Sequence, residues 1–232
     1  MSIKFISKKC NKRKLSAFVL MLSLLGIIVF PVRWAIGDIY TYPVRYAVKD
    51  WHQQSSLPAQ VELDRAMDNI NKALWWDPEN PEYTDYQGFL YYYQGLVSIS
   101  DQQADFTPHF RQALASFKTS TRTRPMWPYS WAYIALMKAY LAEFDQEYRS
   151  AIHQASKLGP WENSVNIALT EAGLIGWSHN NPALTQVVVD NIARGLRRNN
   201  KEIRQIIQAH NKTALVCAYM QADLTRQGMC GF

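Results

Sequence analysis

The amino-acid sequence predicts an all-α protein with a membrane-spanning helix at its N-terminus, followed by an array of antiparallel helix pairs. Three observations support this fold class. A run of sixteen residues without a charge occupies Leu15–Phe30. From Leu57 onward, apolar residues recur at steps of three and four, which is the spacing of one helix face, and no segment alternates with period two as a strand would. A spacing of large and small residues before a proline occurs three times, which indicates an internal repeat.

Positive charge is concentrated in residues 1–14, a basic tail that contains six Lys and Arg and no acid. The other 19 Lys and Arg are balanced by all 19 Asp and Glu. A nucleic-acid-binding protein carries its positive surface on the folded domain. This distribution therefore argues against nucleic acid as a partner, and a hydrophobic content of 48% argues against a disordered chain.

Residues 15–36 are predicted to form a transmembrane anchor, because about 20 apolar residues span a bilayer. The alternative is a cleaved signal peptide, which needs small residues at its cleavage site. Here the apolar run ends in the bulky sequence Val-Phe-Pro-Val-Arg-Trp, so we favour the anchor. The positive-inside rule leaves the basic tail in the cytoplasm. The prediction is a single-pass membrane protein whose C-terminal domain lies across the membrane. In a Gram-negative bacterium this means an inner-membrane protein with its C-terminal domain in the periplasm.

Residues 37–59 are predicted to form a juxtamembrane linker. They contain four aromatic residues, namely Tyr40, Tyr42, Tyr46 and Trp51. Two interpretations stay open for this segment. It could lie on the membrane surface, or its aromatic rings could pack on the domain.

The internal repeat predicts how the helices pair. Its pattern, x-x3-large-x2-small-x4-Pro, fits Ala66–Pro78, Ala113–Pro125 and Tyr148–Pro160. Small residues on one helix face let a neighbouring helix approach closely, and the proline ends the helix. After a first helix that ends before Pro78, helices are predicted over residues 83–99, 106–122, 128–143, 145–158, 162–177, 181–198 and 201–221.

Residues 60–160 resemble about two and a half tetratricopeptide repeats (TPR). In the first helix of one repeat, Gly88 and Tyr91 stand in the expected order, and Trp131–Ala135 matches the opening of the next. Ala142 and Phe144 fall where the family has Gly and Tyr at the turn. The resemblance implies an α-solenoid whose concave groove binds a protein partner.

The chain also departs from the TPR pattern. Residues 98–106 form an insertion, and Lys138 stands at a position where the third repeat should have Tyr. Residues 161–222 fit the pattern poorly and are predicted to be irregular capping helices, since terminal repeats close the stack. Residues 223–232 remain as a tail.

At a finer level, the chain is similar to the VpsP-like membrane-anchored proteins of exopolysaccharide biosynthesis clusters. The similarity is carried by Asp77–Tyr83, Gly88–Gly95, Arg124–Trp131 and Leu158–Glu162. The resemblance implies a role in polysaccharide production or export, with envelope proteins of that system as partners. It supplies no catalytic residues.

Candidate partner-binding residues lie on the first helices of the predicted pairs, which line the groove of such an array. They are Asp85, Phe89, Tyr92, Tyr93, Tyr129, Leu136 and Tyr140. A groove of this kind suits a peptide of a partner protein, or sugar rings that stack on the aromatic side chains. The alternative is that these rings fill the space between repeats.

The sequence contains no motif for a catalytic site, a cofactor or a metal ion. Glycine-rich phosphate loops, a Gly-x-Ser-x-Gly elbow and zinc-ligand spacings are absent. Two acidic groups, Asp77–Asp85 and Glu143–Glu147, hold carboxylates of the type that cleave glycosides in pairs. Acids are also favoured at helix starts by the helix dipole. We therefore predict a non-enzymatic adaptor, with a polysaccharide-binding module or an assembly factor for another envelope machine as alternatives.

Two features near the C-terminus leave alternatives open. Cys217 and Cys230 lie on the exported side of the predicted anchor, where a disulfide can form, or they are one buried and one loose cysteine. A basic helix face is predicted to be solvated, or to contact lipid headgroups or an acidic polysaccharide. Its members are Arg194, Arg197, Arg198, Lys201 and Arg204.

Overall fold

The computed structural model describes residues 3–54, 57–101, 105–198, 200–221 and 228–230, with side chains from Lys14 onward except that of Gln54. Within these residues the regular secondary structure is entirely helical, so the all-α prediction is confirmed. The helices are α1 Ile3–Gln54, α2 Gln60–Trp76, α3 Pro81–Ser100, α4 Thr107–Thr123, α5 Pro128–Tyr140, α6 Gln146–Leu158, α7 Asn163–Ile175, α8 Pro182–Arg198, α9 Asn200–Ala209 and α10 Thr213–Tyr219. A short 3-10 turn, Trp177–His179, follows α7.

Helix α1 runs unbroken from the apolar N-terminal segment into the domain. In the described part of the chain it is the one helix that is long and apolar enough to cross a membrane, and its most apolar part is unburied. Farther along, Val44, Val48 and Trp51 are buried against α2 and α3. Residues 37–54 of the predicted linker are thus the amphipathic end of this helix. Trp51 packs on the domain, which agrees with the interpretation that aromatic rings of this segment contact the domain.

Helix α2 lies antiparallel to α1, as two side-chain contacts show. Arg33 Nε donates a hydrogen bond to the carbonyl oxygen of Trp76 at 2.9 Å. Seven residues later on α1, the ring of Tyr40 lies 5.8 Å from the Lys72 ammonium. The C-terminal end of α2 is therefore beside the end of the apolar run of α1.

The nine motif positions of the internal repeat are all buried. They are Ala66, Ile70, Ala73, Ala113, Phe117, Ser120, Tyr148, Ile152 and Ala155. Helices that follow one another in the chain pack together, and α5 also packs on α7, α7 on α9, and α6 on α8. In the C-terminal half, α5, α7 and α9 thus form one layer and α6 and α8 form another.

Helices α3 and α4 approach closely at two glycines. A Cβ atom on Gly88 would lie 2.8 Å from the Phe117 ring, and one on Gly95 would lie 2.4 Å from the Phe110 ring. Both phenylalanines are fully buried. The close pairing of α3 with α4 therefore requires glycine at both positions. For Gly88, this is a packing reason in addition to its match to the TPR pattern.

The predicted helix over 201–221 is two helices, because the chain turns at Asn211. Asn211 has φ 54°, in the left-handed region that Asn tolerates better than most residues. Its N–H donates to Gln208 O at 2.9 Å, and that of Lys212 donates to Ile207 O at 3.0 Å. This pair of bonds is a Schellman motif, which ends a helix.

The same motif ends α5 at Tyr140, three residues before its predicted end. Ala142 has φ 57°. Its N–H donates to Ala139 O at 3.0 Å, and that of Glu143 donates to Lys138 O at 2.8 Å. Ala142 thus occupies a left-handed position, which the TPR pattern fills with glycine.

Cys217 of α10 is joined to Cys230 by a disulfide, with Cα atoms 6.0 Å apart. The bond ties the short C-terminal segment back to the last helix. Residues 222–227, half of the segment between the two cysteines, lie outside the described residues, as do 231–232 of the predicted tail.

Candidate functional site

An open cleft of about 570 Å³ lies between helices that are distant in sequence. Its walls come from the end of α1, the first half of α3, the start of α5 with the preceding loop, and the start of α7, with Glu202 of α9 at one edge. Both charged and aromatic side chains line it. We call this cavity the cleft.

Arg45 links the two longest walls of the cleft. Its guanidinium makes a two-pronged contact with Glu82 of α3, with Nε 2.8 Å from Oε1 and Nη2 3.1 Å from Oε2. Nη2 also lies 2.5 Å from Asp38 Oδ1. Bidentate pairs of this type fix the geometry as well as the charge. Arg45 therefore holds α1 in register with α3, while the neighbouring Lys49 is exposed at the rim.

His52 connects α1 to α3 and α5 in the wall of the cleft. Its Nε2 lies 2.8 Å from Tyr133 Oη, and its Nδ1 lies 2.8 Å from Val48 O and 2.9 Å from Tyr93 Oη. The edge of the ring also contacts Phe89, with ring centroids 5.6 Å apart. These contacts make this wall of the cleft a fixed surface.

Asp85 is the most buried charged group that lines the cleft, with 5% of its surface exposed. Ser130 Oγ donates a hydrogen bond to its Oδ1 at 2.7 Å, and Ser120 Oγ lies 3.2 Å from Ser130 Oγ. Its other oxygen, Oδ2, is buried and has no hydrogen-bond partner among the described residues. Burial raises the pKa of Asp85 to about 6, although the serine hydrogen bonds and Arg124 favour the charged form.

Aromatic side chains form the rim opposite α1. The Arg124 guanidinium lies over the Trp127 ring, 3.9 Å from its centroid, and the Tyr129 ring is 5.0 Å from Trp127. Tyr129 Oη donates to Glu162 Oε2 at 2.5 Å. Burial and this carboxylate raise the pKa of Tyr129 to about 12. The rim is thus a packed set of rings and charges, and the indole already has two neighbours.

The structure divides the seven predicted groove residues into three groups. Asp85, Phe89 and Tyr129 line the cleft. Tyr93 and Leu136 are buried in the core, so neither presents a surface to a partner. These two side chains fill the space between helices, as the alternative interpretation proposed.

Tyr92 and Tyr140 belong to an aromatic cluster outside the cleft. Tyr140 stacks on Phe110 with centroids 4.6 Å apart and donates a hydrogen bond to Glu171 at 2.5 Å. Tyr92 lies 6.5 Å from Tyr140 and 5.5 Å from Tyr133, between ring centroids. These rings pack α3, α4, α5 and α7 together, and they do not line the cleft.

Sequence reasoning missed the contribution of α1 to the cleft. Arg45, Lys49 and His52 all line it, but they fall in the segment predicted as a linker. A signal was present, since Val44, Val48 and Trp51 recur at steps of four and three, the spacing of one helix face.

The predicted acidic group Glu143–Glu147 surrounds a buried cation. Lys138 is 3% exposed, and its Nζ lies 3.1 Å from Glu143, 2.9 Å from Asp145 and 3.2 Å from Glu147. Burial alone would raise the pKa of these carboxyls, but hydrogen bonds from Lys138 and its neighbours lower it. The lysine that departs from the TPR pattern therefore ties α5 to the start of α6.

The predicted basic face near the C-terminus is interrupted by Arg194. Its Nε donates to Pro160 O at 3.0 Å, and its Nη2 donates to Ser156 Oγ at 2.9 Å. Arg194 therefore faces the protein, whereas Arg198 and Lys201 are exposed.

No family model and no curated protein matches this chain. The cleft and the long apolar helix are therefore the observations from which a function is proposed.

Proposed function

We propose that this protein is a membrane-tethered, non-enzymatic adaptor of the bacterial envelope, and that its cleft binds a segment of a partner protein. The observation that carries the proposal is the cleft. Its volume of about 570 Å³ lies in the range of ligand sites, roughly 300–1,000 Å³. Its walls come from helices packed on one another, so the surface is preorganised.

The charges of the cleft favour a peptide as the ligand. Three cations and three acids line it, and they are Arg45, Lys49, Arg124, Glu82, Asp85 and Glu202. A polypeptide segment carries both signs of charge and a row of backbone N–H groups. Asp85 Oδ2 is a buried acceptor without a partner, which is unfavourable by about 1–3 kcal/mol. A donor of the bound segment would satisfy it once the side chains that cover it move aside.

The process in which the adaptor acts is proposed from the sequence resemblance alone. The four stretches similar to VpsP-like proteins support exopolysaccharide biosynthesis or export. The candidate membrane helix supports a tethered protein, and the basic tail supports a cytoplasmic N-terminus with the domain in the periplasm. The partner is then an envelope protein of the polysaccharide system.

Site-specific photocrosslinking in cells tests the adaptor function. A photoreactive amino acid replaces Gln53 of α1 or Asn163 of α7, two exposed residues on opposite walls of the cleft. We expect both positions to crosslink the same envelope protein. We also expect Asp85→Ala to weaken both adducts, because it removes the buried acceptor.

Val61 supplies the matched control, since it is exposed on α2 and does not line the cleft. A photoreactive residue there should leave that protein uncrosslinked. If Val61 gives the same adduct as Gln53, or if the two cleft positions capture different proteins, the cleft is not the binding site.

Glycan binding is a second candidate, favoured by a groove away from the cleft. This groove of about 330 Å³ is lined by Trp161, Gln186, Asp190 and Arg194, and the Trp161 ring is about half exposed. An exposed indole beside polar side chains suits a sugar ring. Trp161→Ala should then abolish retention in a gel that contains the polysaccharide, whereas Trp127→Ala should not. Unchanged retention in the Trp161 variant would reject this function.

A further inference from the structure

The outer boundary of the membrane helix can be located from its charges. Between Lys14 and Arg33, the 18 residues of α1 carry no charge. At about 1.5 Å per residue the distance between the two cations is about 28 Å, close to the hydrocarbon thickness of about 30 Å. Arg33 therefore lies at the headgroup level on the side of the folded domain.

The C-terminal end of α2 lies at the same level. The hydrogen bond from Arg33 to Trp76 O joins the last residue of α2 to this point of α1. Trp75 precedes it, and the rings of the two tryptophans are 4.8 Å apart at their centroids. Two indoles are thus held beside the residue that marks the membrane boundary.

Trp75 lies outside both hydrophobic core clusters formed by the described residues. It is 73% exposed, which is unusual for so large an apolar side chain. Trp34, the residue after Arg33 on α1, is also exposed. Tryptophan is enriched at membrane–water interfaces, where the ring is apolar and its N–H can be hydrated.

We propose that Trp75 and Trp76 insert into the headgroup region of the leaflet on the side of the folded domain, as a second membrane contact besides α1. The contact is carried by the indoles, because the following loop is acidic, with Asp77 and Glu79. The membrane helix and this second contact together restrict the tilt of the domain relative to the bilayer more than the helix alone does.

This orientation sets the height of the cleft above the bilayer. Arg45 and His52, which line the cleft, follow Arg33 by 12 and 19 residues on the same helix. At about 1.5 Å per residue they lie roughly 18 and 28 Å beyond the boundary. The partner segment would be bound at that height.

The inference rests on the membrane helix of the proposed function and not on the cleft. Spin labels on the full-length protein in phosphatidylcholine vesicles test it, in a Cys10→Ser background with the disulfide intact. The labelled variants are Trp75→Cys, Val61→Cys and Leu22→Cys. Val61 is the matched control, because it is 64% exposed and about 21 Å from Trp75 along nearly the same face of α2.

We expect the label at position 75 to lose most of its collisions with a water-soluble nickel chelate, while the label at 61 keeps them. The label at 22 should collide with oxygen and not with nickel. If position 75 meets nickel as freely as 61 while 22 is shielded, the tryptophan contact is overturned and the anchor stands. If 22 also meets nickel freely, the membrane helix and the proposed tethering fail together.

A second measurement uses the protein without labels. Brominated lipids quench tryptophan fluorescence in proportion to insertion, so Trp75→Phe should reduce the quenched fraction. Trp161→Phe, which removes a half-exposed indole far from α2 in the sequence, should not reduce it. Equal quenching of the Trp75 variant and the unsubstituted protein would overturn the proposal.

Discussion

Two acidic residues of this protein show that the surroundings of a carboxyl group decide how it ionises. Asp85 and Glu82 are three residues apart on α3. Glu82 pairs with a guanidinium, while Asp85 is buried with one oxygen unpaired. Burial without a paired cation disfavours the charged carboxyl, so the ionisation of Asp85 should affect stability.

Replacing Asp85 by Asn should remove a pH dependence of stability. The folded-state pKa of about 6 lies above the value of about 3.9 in the unfolded chain. The protonated group therefore contributes stability that is present below pH 4 and lost as the pH rises through 6. Because the folded and unfolded pKa values differ by about 2, the variant should gain up to roughly 3 kcal/mol relative to the unsubstituted protein between pH 4 and 7. Urea unfolding followed by circular dichroism measures this difference.

Asp105→Asn is the control for this series. Hydrogen bonds from Thr107 lower the pKa of Asp105, so its contribution to stability is lost as the pH falls. That variant should lose stability, relative to the unsubstituted protein, at the higher pH. Parallel stability curves for the Asp85 variant and the unsubstituted protein would contradict the argument.

At the scale of helices, two features decide how the elements meet and end. Close packing of α3 on α4 requires glycine at positions 88 and 95. The Schellman motifs that end α5 and α9 contain the left-handed residues Ala142 and Asn211. Ala is strained at such a position by about 1–2 kcal/mol, and the bonds that close the motif hold it there.

Gly95→Ala should destabilise the protein by about 2 kcal/mol, since an added methyl overpacks a buried site. Its Cβ would lie 2.4 Å from the ring of Phe110, which is fully buried. This exceeds the gain of about 1 kcal/mol that alanine brings to a helix. Chemical unfolding in detergent measures the loss.

Gly26→Ala is the matched control, because nothing lies within 4 Å of a Cβ atom at that position of α1. It should lose no stability. A loss of the same size in both variants would mean that the close approach of α3 and α4 is not the cause.

At the scale of the whole molecule, α1 is both the candidate membrane span and part of the domain core. Val44, Val48 and Trp51 cover the apolar face formed by α2 and α3. Burial of each such side chain contributes about 1.5–3 kcal/mol. Losing all three contacts would therefore cost an amount comparable to the whole net stability of a domain, roughly 5–15 kcal/mol.

A truncation series should therefore separate the two roles of α1. A fragment of residues 37–232 keeps the three buried side chains and should unfold cooperatively on heating, as followed by circular dichroism. A fragment of residues 57–232 lacks them and should unfold at a markedly lower temperature or aggregate. Equal melting temperatures would show that the end of α1 is dispensable for the domain.

The sequence by itself determined the helical class, the apolar span and most helix positions. The predicted bounds of α3, α4, α6, α7 and α8 agree with the structure to within two residues. These features depend on local patterns, namely a spacing of three and four, a proline stop and an uncharged run. They can be predicted without knowing which residues distant in the sequence are in contact.

Only the tertiary structure decided which side chains share the cleft. Asp85, Phe89 and Tyr129 meet Arg45 and its α1 neighbours there, whereas Tyr93 and Leu136 turn inward. Such differences follow from how far each helix rotates and crosses its neighbour. Residues one helix face apart then separate into core and surface, and a one-dimensional pattern does not contain that rotation.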